Sequence, residues 1–510
     1  MHRDLRRAVR EGMRLSEVLA TLEAEPTPHG AIDVGGISID SRKVRKADLF
    51  VAIRGERSDG HAFLGQAAQA GAAAALVERE VPSSPLPTVR VASTSAALPK
   101  AAANFHGDPS ARLAVVGVTG TNGKTTVTYL LESILAAAGR KTAVIGTINY
   151  RVGQEVLRTG LTTPFPHELQ EVMAEAASRG VTHLLMEVSS HSAAQGRIAG
   201  VRFQAGVFTN LSRDHLDFHG DMESYFAAKA RFFREVLPAG GKRPGIAING
   251  DDPYGARLSR EFPDALTYGF LGTRSVHPRS VEMSFEGTRL SLRTPWGDLD
   301  LRTRLVGSYN ASNVMAAVCA SRLLGIPNDA VREGVERLPV IPGRMEKIPH
   351  ERGVQIYVDY AHTPEGMDVV LSTLQGLGGG RLITVFGCGG NRDRGKRPQM
   401  GRIAALRSDV VVVTSDNPRN EDPVAILSDI LPGLRSEGFL EARGDVAWED
   451  GYFVVIPDRR AAIQHALTMA RPGDTVAIAG KGHENVQIIG DRSLPFDDRE
   501  IVRGMLAADG

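Results

Sequence analysis

Residues 115 to 139, VVGVTGTNGKTTVTYLLESILAAAG, join an apolar run to a glycine-rich turn that ends in Lys124, Thr125 and Thr126. The usual phosphate-loop spacing, G-x-x-x-x-G-K-[ST], would put its first glycine at Val118, although Gly117, Gly120 and Gly123 surround that place. The physics survives the shift, because glycines let backbone N–H groups turn towards an anion and a helix start adds positive partial charge. Lys124 is expected to hold the outer phosphates of a nucleotide, and Thr125 to place a hydroxyl on the accompanying magnesium. The pattern predicts a buried strand over 113–116 and a helix over 129–138. The plainer alternative is a glycine-rich turn with no ligand; GKTT between strand and helix argues against it.

Three polar clusters follow. MEVSSH brings Glu187, Ser189 and His191, TNLSRDHLDFHG brings Asp214, His215 and Asp217, and SYFAAKARFF brings Lys229. At the end of an apolar strand Glu187 could complete a magnesium shell begun by Thr125, or simply face solvent. His215 between two aspartates suits a metal ligand or an ordinary hydrogen-bonded loop histidine. Lys229 alone reads as a solvated helix lysine. Ser190 beside His191 does not make a serine hydrolase, since the chain has no G-x-S-x-G turn. Further on, SDNPRNEDP gathers Asp416, Asn417 and Arg419. An arginine forks onto a carboxylate while Asp and Asn accept from an ammonium, so the group fits a zwitterionic amino-acid end and is equally compatible with a type I turn. GGNRDRGKRP adds Arg392, Arg394, Lys396 and Arg397, an anion site if it follows a buried strand and a solvated loop otherwise.

The elements that must position these groups are legible as an α/β alternation. An N-terminal unit runs from DSRKVRKADLFVAIRG to an alanine-rich helix, and NFHGDPSAR at 104–112 separates it from the phosphate loop. The runs KTAVIGT, HLLMEVSS, AGVFTNLS and GIAINGDD then alternate with helical stretches, as in a mostly parallel sheet whose ligands gather at the carboxyl ends of its strands. Beyond LPVIPGR the runs beginning VQIYVDYAHTP, RLITVFGCGG, DVVVVTSDNPR and DTVAIAGKGHE each end in a polar cluster, which predicts a second, Rossmann-like doubly wound domain facing the first across a cleft. The expected fold is therefore α/β with three domains, at 1–108, 109–341 and 342–510. Sixty basic against fifty-nine acidic residues leave a net charge of +1, which gives no bulk attraction to nucleic acid or membrane. Two distant cysteines exclude a disulfide scaffold, and the chain has no apolar run long enough to span a bilayer. The charged start MHRDLRRAVREGMRL lacks the apolar core of a secretory signal, so a cytoplasmic protein is expected.

Taken together and in order, GTNGKTT, MEVSSH, TNLSRDHLDFHG, the AAK helix, GSYNASN, GRME, DYAHTP, GCGGNRDRGKRP, DNPR and GKGHE resemble the motifs of the Mur ligases across essentially the whole chain. The resemblance implies ATP-driven amide bond formation with Mg2+, by way of an acyl phosphate. It assigns ATP to Gly120, Thr121, Asn122, Gly123, Lys124, Thr125 and Thr126, with Asn310, Asn313, Arg344, Asp359 and His362 from the interdomain side. It assigns one magnesium to Thr125 and Glu187, and a second to His215 and a carbamylated Lys229. Ile39, Ser41, Glu56, Arg57 and Ser58 resemble uridine-binding positions, and Thr162, Thr163, Ser189, Gln195 and Arg197 those that hold a muramoyl peptide. Leu161 stands where the family often has Asn. Arg392, Asp416, Asn417, Pro418, Arg419, Gly480 and Glu484 match positions that select the incoming amino acid, and Arg419 favours meso-diaminopimelate over lysine. The implied partners are thus UDP-N-acetylmuramoyl-L-alanyl-D-glutamate and meso-diaminopimelate, acting on a monomer. Folylpolyglutamate synthase shares GTNGKT but explains neither DNPR nor the N-terminal unit; a nucleotide-dependent switch lacks the N-K-x-D guanine motif.

Overall fold

A computed structural model describes residues 12–55, 58–153, 155–158, 160–240, 244–442 and 450–508. Glu56 and Arg57 lie outside the described residues. Near the N-terminus the strands Gly36–Ser38, Asp48–Val51, Ala74–Val77 and Thr88–Arg90 form a four-stranded parallel sheet in that order. The helix Thr94–His106 packs its Ala97, Leu98, Ala101 and Phe105 against it.

The central sheet has eight strands, with Ala114–Thr119 between His183–Glu187 and Phe203–Phe208, both parallel to it. These strands read as continuous apolar runs because helices cover both faces. Lys124–Ala137 and Ser308–Leu323 share one core, and Pro166–Ser178 and Met222–Arg231 share the other. In the first of these helices Val127, Leu130, Leu131, Ile134 and Leu135 are fully buried, each stabilising the fold by about 1.5–3 kcal/mol. The middle strand's neighbours lie on opposite sides and come later in sequence, so the chain reverses direction across the sheet at this strand. That leaves a crevice at its carboxyl end, where the phosphate-loop sequence sits. The expected strand over 113–116 runs instead over Ala114–Thr119, and the helix begins at Lys124, because the lysine and both threonines already have helical backbone. A three-stranded antiparallel sheet, His277–Ser284, Gly287–Arg293 and Leu299–Thr303, joins the first core.

The C-terminal sheet has seven strands, in the order Glu346–Ile348, Gln355–Asp359, Thr475–Ala479, Leu382–Phe386, Val410–Val413, Tyr452–Val455 and Leu440–Glu441; only the first is antiparallel. Thr475–Ala479, last of these in sequence, inserts between the second and third, so Asp359, Gly387, Ser415 and Gly480 emerge side by side. A hairpin, Val486–Ile489 with Arg492–Pro495, follows the inserted strand. Arg459 and Asp498, neither with any exposed side chain, pair at 2.8 and 2.7 Å, and Arg459 Nη2 donates to the Ala479 carbonyl at 3.0 Å, fixing that strand's end from behind. Among the described residues no helix is long and apolar enough to cross a membrane.

Candidate active site

The phosphate loop is held open by backbone geometry that only glycine adopts readily. Gly120 has φ of +150°, and a Cβ there would overlap Thr209 Oγ1; Gly123 has φ of +87°, and a Cβ would overlap Asn313 Oδ1. Asn313 therefore lies against the loop, turned by a 3.2 Å bond from its Nδ2 to Asn310 Oδ1, while Asn310 donates to the Val306 carbonyl at 2.8 Å. Lys124 Nζ curls back to donate to the carbonyls of Gly120 (3.0 Å) and Thr121 (2.8 Å). Lys229, fully buried, donates to the same Gly120 carbonyl at 2.8 Å with its Nζ 4.7 Å from the Tyr225 ring centre. Burial lowers the pKa of both ammonium groups; Lys124's charge depresses Lys229 further, while Glu187 and Asp214 partly oppose the shift at Lys124.

Glu187, buried at the end of its strand, is a junction rather than a solvent-facing residue. Its Oε1 accepts from Thr125 Oγ1 at 2.9 Å and Thr147 N at 3.0 Å, and its Oε2 from Thr147 Oγ1 at 2.8 Å. Thr147 and Thr162 share a 3.1 Å hydroxyl bond. Thr163 Oγ1 donates to the Glu187 carbonyl at 2.8 Å and accepts from Ser189 N at 3.1 Å, and Arg197 donates to the Thr163 carbonyl at 3.2 Å while stacking on Phe165. Gln195 accepts from Arg197 Nε at 2.8 Å. Thr125 and Glu187 thus meet as expected, and their hard oxygens suit magnesium. His215, assigned with Lys229 to the second ion, lines the same cavity as Thr125 and Glu187, pairs with Asp214 at 3.3 Å and stacks edge-on with His191. Its backbone is left-handed, with φ of 55°, and burial lowers its pKa to about 4. Among the described residues no three His, Cys, Asp or Glu side chains converge on a metal position.

From the opposite domain Arg344 reaches Thr125 Oγ1 at 3.4 Å and stacks 4.6 Å from the Tyr360 ring centre. Asp359, its pKa raised by burial, accepts from Met345 N (2.6 Å) and Ala361 N (2.7 Å), and His362 is tied through Nδ1 to the Tyr360 carbonyl at 2.8 Å. With the phosphate loop these residues line a cavity of about 480 Å³. A second cavity, about 330 Å³, is lined by Arg392, Asp416, Asn417, Arg419, Gly480 and Glu484. The two adjoin, since Asp214, His215, Tyr360, His362 and Thr363 line both. Arg419, at φ of 53°, donates to the Gly390 carbonyl at 2.9 Å; burial first and Arg392's charge second lower its pKa. Pro418 lines neither cavity but packs its carbonyl against Gly390. A third cavity of about 600 Å³, between the N-terminal and central sheets, takes in Ile39 and Leu161, whose carbonyl accepts from Tyr150 Oη. Ser41 is turned away from it, donating to Gln66 Oε1 at 2.6 Å, and Ser58 is exposed.

The sequence matches the Mur ligase family catalytic domain over residues 33–115, the Mur ligase middle domain over 118–321 and the Mur ligase glutamate ligase domain over 343–482. It is 45% identical over 501 residues, 96% of this chain and 98% of the relative, to the UDP-N-acetylmuramoyl-L-alanyl-D-glutamate--2,6-diaminopimelate ligase of Geobacter metallireducens. The chain belongs to the Mur ligase family. A protein of the same name from Geobacter sulfurreducens is 44% identical over 92% of this chain and 93% of its own length. A solved structure of a ligase of that name matches at a TM-score of 0.68 and 31% identity, over 98% of this chain and 99% of that one.

Within this Mur ligase chain, sequence reasoning passed over three side chains. Thr147, bonded to Glu187 twice, follows a strand that neighbours His183–Glu187 only through the sheet order. Tyr360 sits inside the quoted DYAHTP run, and its ring carries Arg344. Lys481 lies inside GKGHE; a lysine just past a strand reads as solvent-facing, yet it is completely buried.

Proposed function

We propose that this Mur ligase joins meso-diaminopimelate to the D-glutamate γ-carboxylate of UDP-N-acetylmuramoyl-L-alanyl-D-glutamate, using ATP, in cytoplasmic peptidoglycan precursor synthesis. The observation that carries this reading is the pair of adjoining cavities. One is built around the Lys124 ammonium group on a phosphate loop; the other sets two guanidinium groups beside two carboxylates, a match for a zwitterion with an extra carboxylate. The names of the relatives agree with it. The domain boundaries proposed are those at 108/109 and 341/342.

The chemistry follows from charge. A peptide carboxylate must approach the γ-phosphate of ATP, so two anions meet, and Lys124 with Arg344 supplies positive charge from both domains. The carboxylate oxygen bonds to phosphorus as ADP leaves, giving an acyl phosphate. The amine of the amino acid then adds to the acyl carbon, loses a proton, and phosphate departs. Closing the seam between the domains shields the acyl phosphate from water. Thr125 and Glu187 fit one magnesium ion, with His215 and Lys229 proposed at a second; magnesium, when bound, neutralises phosphate charge. The depressed pKa of Lys229 favours the neutral amine that takes up carbon dioxide, with loss of a proton, to form the proposed carbamate. Ile39, on the wall of the N-terminal cavity, is proposed for the uridine end together with Ser41, Glu56, Arg57 and Ser58, and Thr162, Thr163, Ser189, Gln195 and Arg197 for the peptide.

Phosphate release by purified protein tests the proposal. It should stay near background with ATP alone and rise only when both the UDP-muramoyl dipeptide and meso-diaminopimelate are present. Equal rates with lysine and diaminopimelate would overturn the assignment, and turnover of nucleotide alone would favour a switch.

A further inference from the structure

Behind Asp416, Asn417 and Glu484, which line the smaller interdomain cavity, lies Lys481 with none of its surface exposed. Its Nζ donates to Asn417 Oδ1 at 3.1 Å, Glu484 Oε2 at 3.0 Å and the Val486 carbonyl at 2.6 Å, which uses all three protons of an ammonium group. Ile488 N also donates to Asn417 Oδ1, at 3.0 Å, so the amide is turned with its Nδ2 towards Glu484 Oε2, 2.7 Å away. Both bonds to Glu484 fall on Oε2, and among the described residues no donor reaches Oε1. Asp416 Oδ1, buried and without a hydrogen bond, stands 3.8 Å from the same ammonium. Lys481 also ties down the start of the hairpin whose Ile488 carbonyl accepts from Arg419 N at 3.0 Å and whose Gly490 N donates to the Arg419 carbonyl at 2.7 Å. One buried cation therefore braces the acidic wall directly and the backbone of Arg419 through the hairpin.

We propose that Lys481 is a positioning residue for the amino-acid substrate: directly and through Asn417 it holds Glu484 in the orientation that leaves Oε1 to receive the ammonium group, and fixes the spacing of that carboxylate from Arg419. It touches no substrate itself. The inference rests on the reading of this cavity as the amino-acid site, and unmutated protein tests that reading first, through its dependence on diaminopimelate.

The test is a double-mutant cycle on full-length protein, with Lys481→Met, Glu484→Gln and both together, measuring KM for diaminopimelate and for ATP. Lys481→Met should raise KM for diaminopimelate by roughly 30-fold or more while KM for ATP stays within about twofold, because truncating one partner of a buried ion pair leaves the other charge unpaired. In the Glu484→Gln background the same change should cost less than about threefold, since the residue through which it acts is already lost. Lys481→Gln, which keeps a donor, should recover part of the loss. Additive effects, or equal damage to the KM values of both substrates, would overturn the proposal. If Lys481→Met does not fold, the cycle is run with Lys481→Gln, and failure of both to fold would assign Lys481 to stability and overturn it as well.

Discussion

At the carboxyl edge of the central sheet a half-buried lysine and a buried one rest their ammonium groups on backbone carbonyls, whereas the C-terminal sheet ends in a buried lysine that is ringed by side-chain acceptors. Lys124 and Lys229 share the Gly120 carbonyl; Lys481 faces Asn417, Glu484 and Asp416. A cation whose hydrogen bonds all go to carbonyl dipoles remains under-compensated, and burial lowers the pKa of both central lysines although nearby carboxylates partly oppose it. At Lys124 an anionic ligand would relieve it, and at Lys229 the proposed carbamate removes the positive charge altogether. The C-terminal lysine is already neutralised from within, and the nearby Arg392 and Arg419 are proposed to carry the recognition. On the proposed function one cleft serves a polyanion and the other a zwitterion, although both lie at the carboxyl ends of parallel strands.

The comparison breaks most readily at Lys124. Lys124→Met should lower kcat/KM about a thousandfold or more, as expected for a preorganised charge at a transferring phosphoryl group, and steady-state phosphate release measures it. Arg419→Ala should lower kcat/KM for diaminopimelate by about a hundredfold or more while KM for ATP changes by less than about twofold. If the two variants damaged the same substrate's KM, the division of labour between the clefts would be wrong.

The polar clusters at these strand ends were legible in the sequence, for a physical reason. Apolar runs that end in polar clusters mark strands buried on both faces, and a parallel sheet places its functional groups where those runs stop. GTNGKTT, MEVSSH, DYAHTP and DNPR all do so. Strand order was not legible, because hydrogen bonding between strands leaves no trace in local pattern. Thr147 could not be assigned to Glu187 without knowing that Thr142–Ile145 lies beside His183–Glu187. Nor was the antiparallel sheet over His277–Thr303 foreseen, since it interrupts the α/β alternation with alternating strands that cover a core from outside. Lys481 escaped notice because burial of a lysine depends on partners that come from segments more than sixty residues apart, as its 3.1 Å bond to Asn417 shows.

Two smaller effects sharpen the comparison. Thr147→Val removes the hydroxyl that donates to Glu187 Oε2 and leaves the backbone bond in place. A single hydrogen bond to a carboxylate is worth about 1.5–3 kcal/mol, so kcat/KM should fall by roughly one to two orders of magnitude, with KM for diaminopimelate nearly unchanged. An increase confined to the KM for diaminopimelate would place Glu187 in the wrong cleft.

The smallest effect lies at the seam. His483 sits with its ring 4.9 Å from Tyr360, whose ring also carries Arg344, and its Nδ1 is buried with no hydrogen bond. Burial first, then the charges of Arg344 and Arg499, lower its pKa to about 3. The folded chain therefore wants a neutral imidazole, while the unfolded chain begins to bind a proton near pH 6.5. Stability from this residue is complete above that pH and is lost as pH falls from about 6.5 towards 3; by pH 5 the loss is about 1–2 kcal/mol. His215 and His219, both lowered to about 4 chiefly by burial, add losses of the same sign, but these remain in a His483→Asn variant and cancel in the comparison. Thermal unfolding of both proteins at pH 7 and pH 5 measures the difference: the variant should be the less sensitive to acid. Equal sensitivity would mean that the seam opens before unfolding and lets His483 protonate in the folded protein, so the two clefts would not be held together as a single rigid unit.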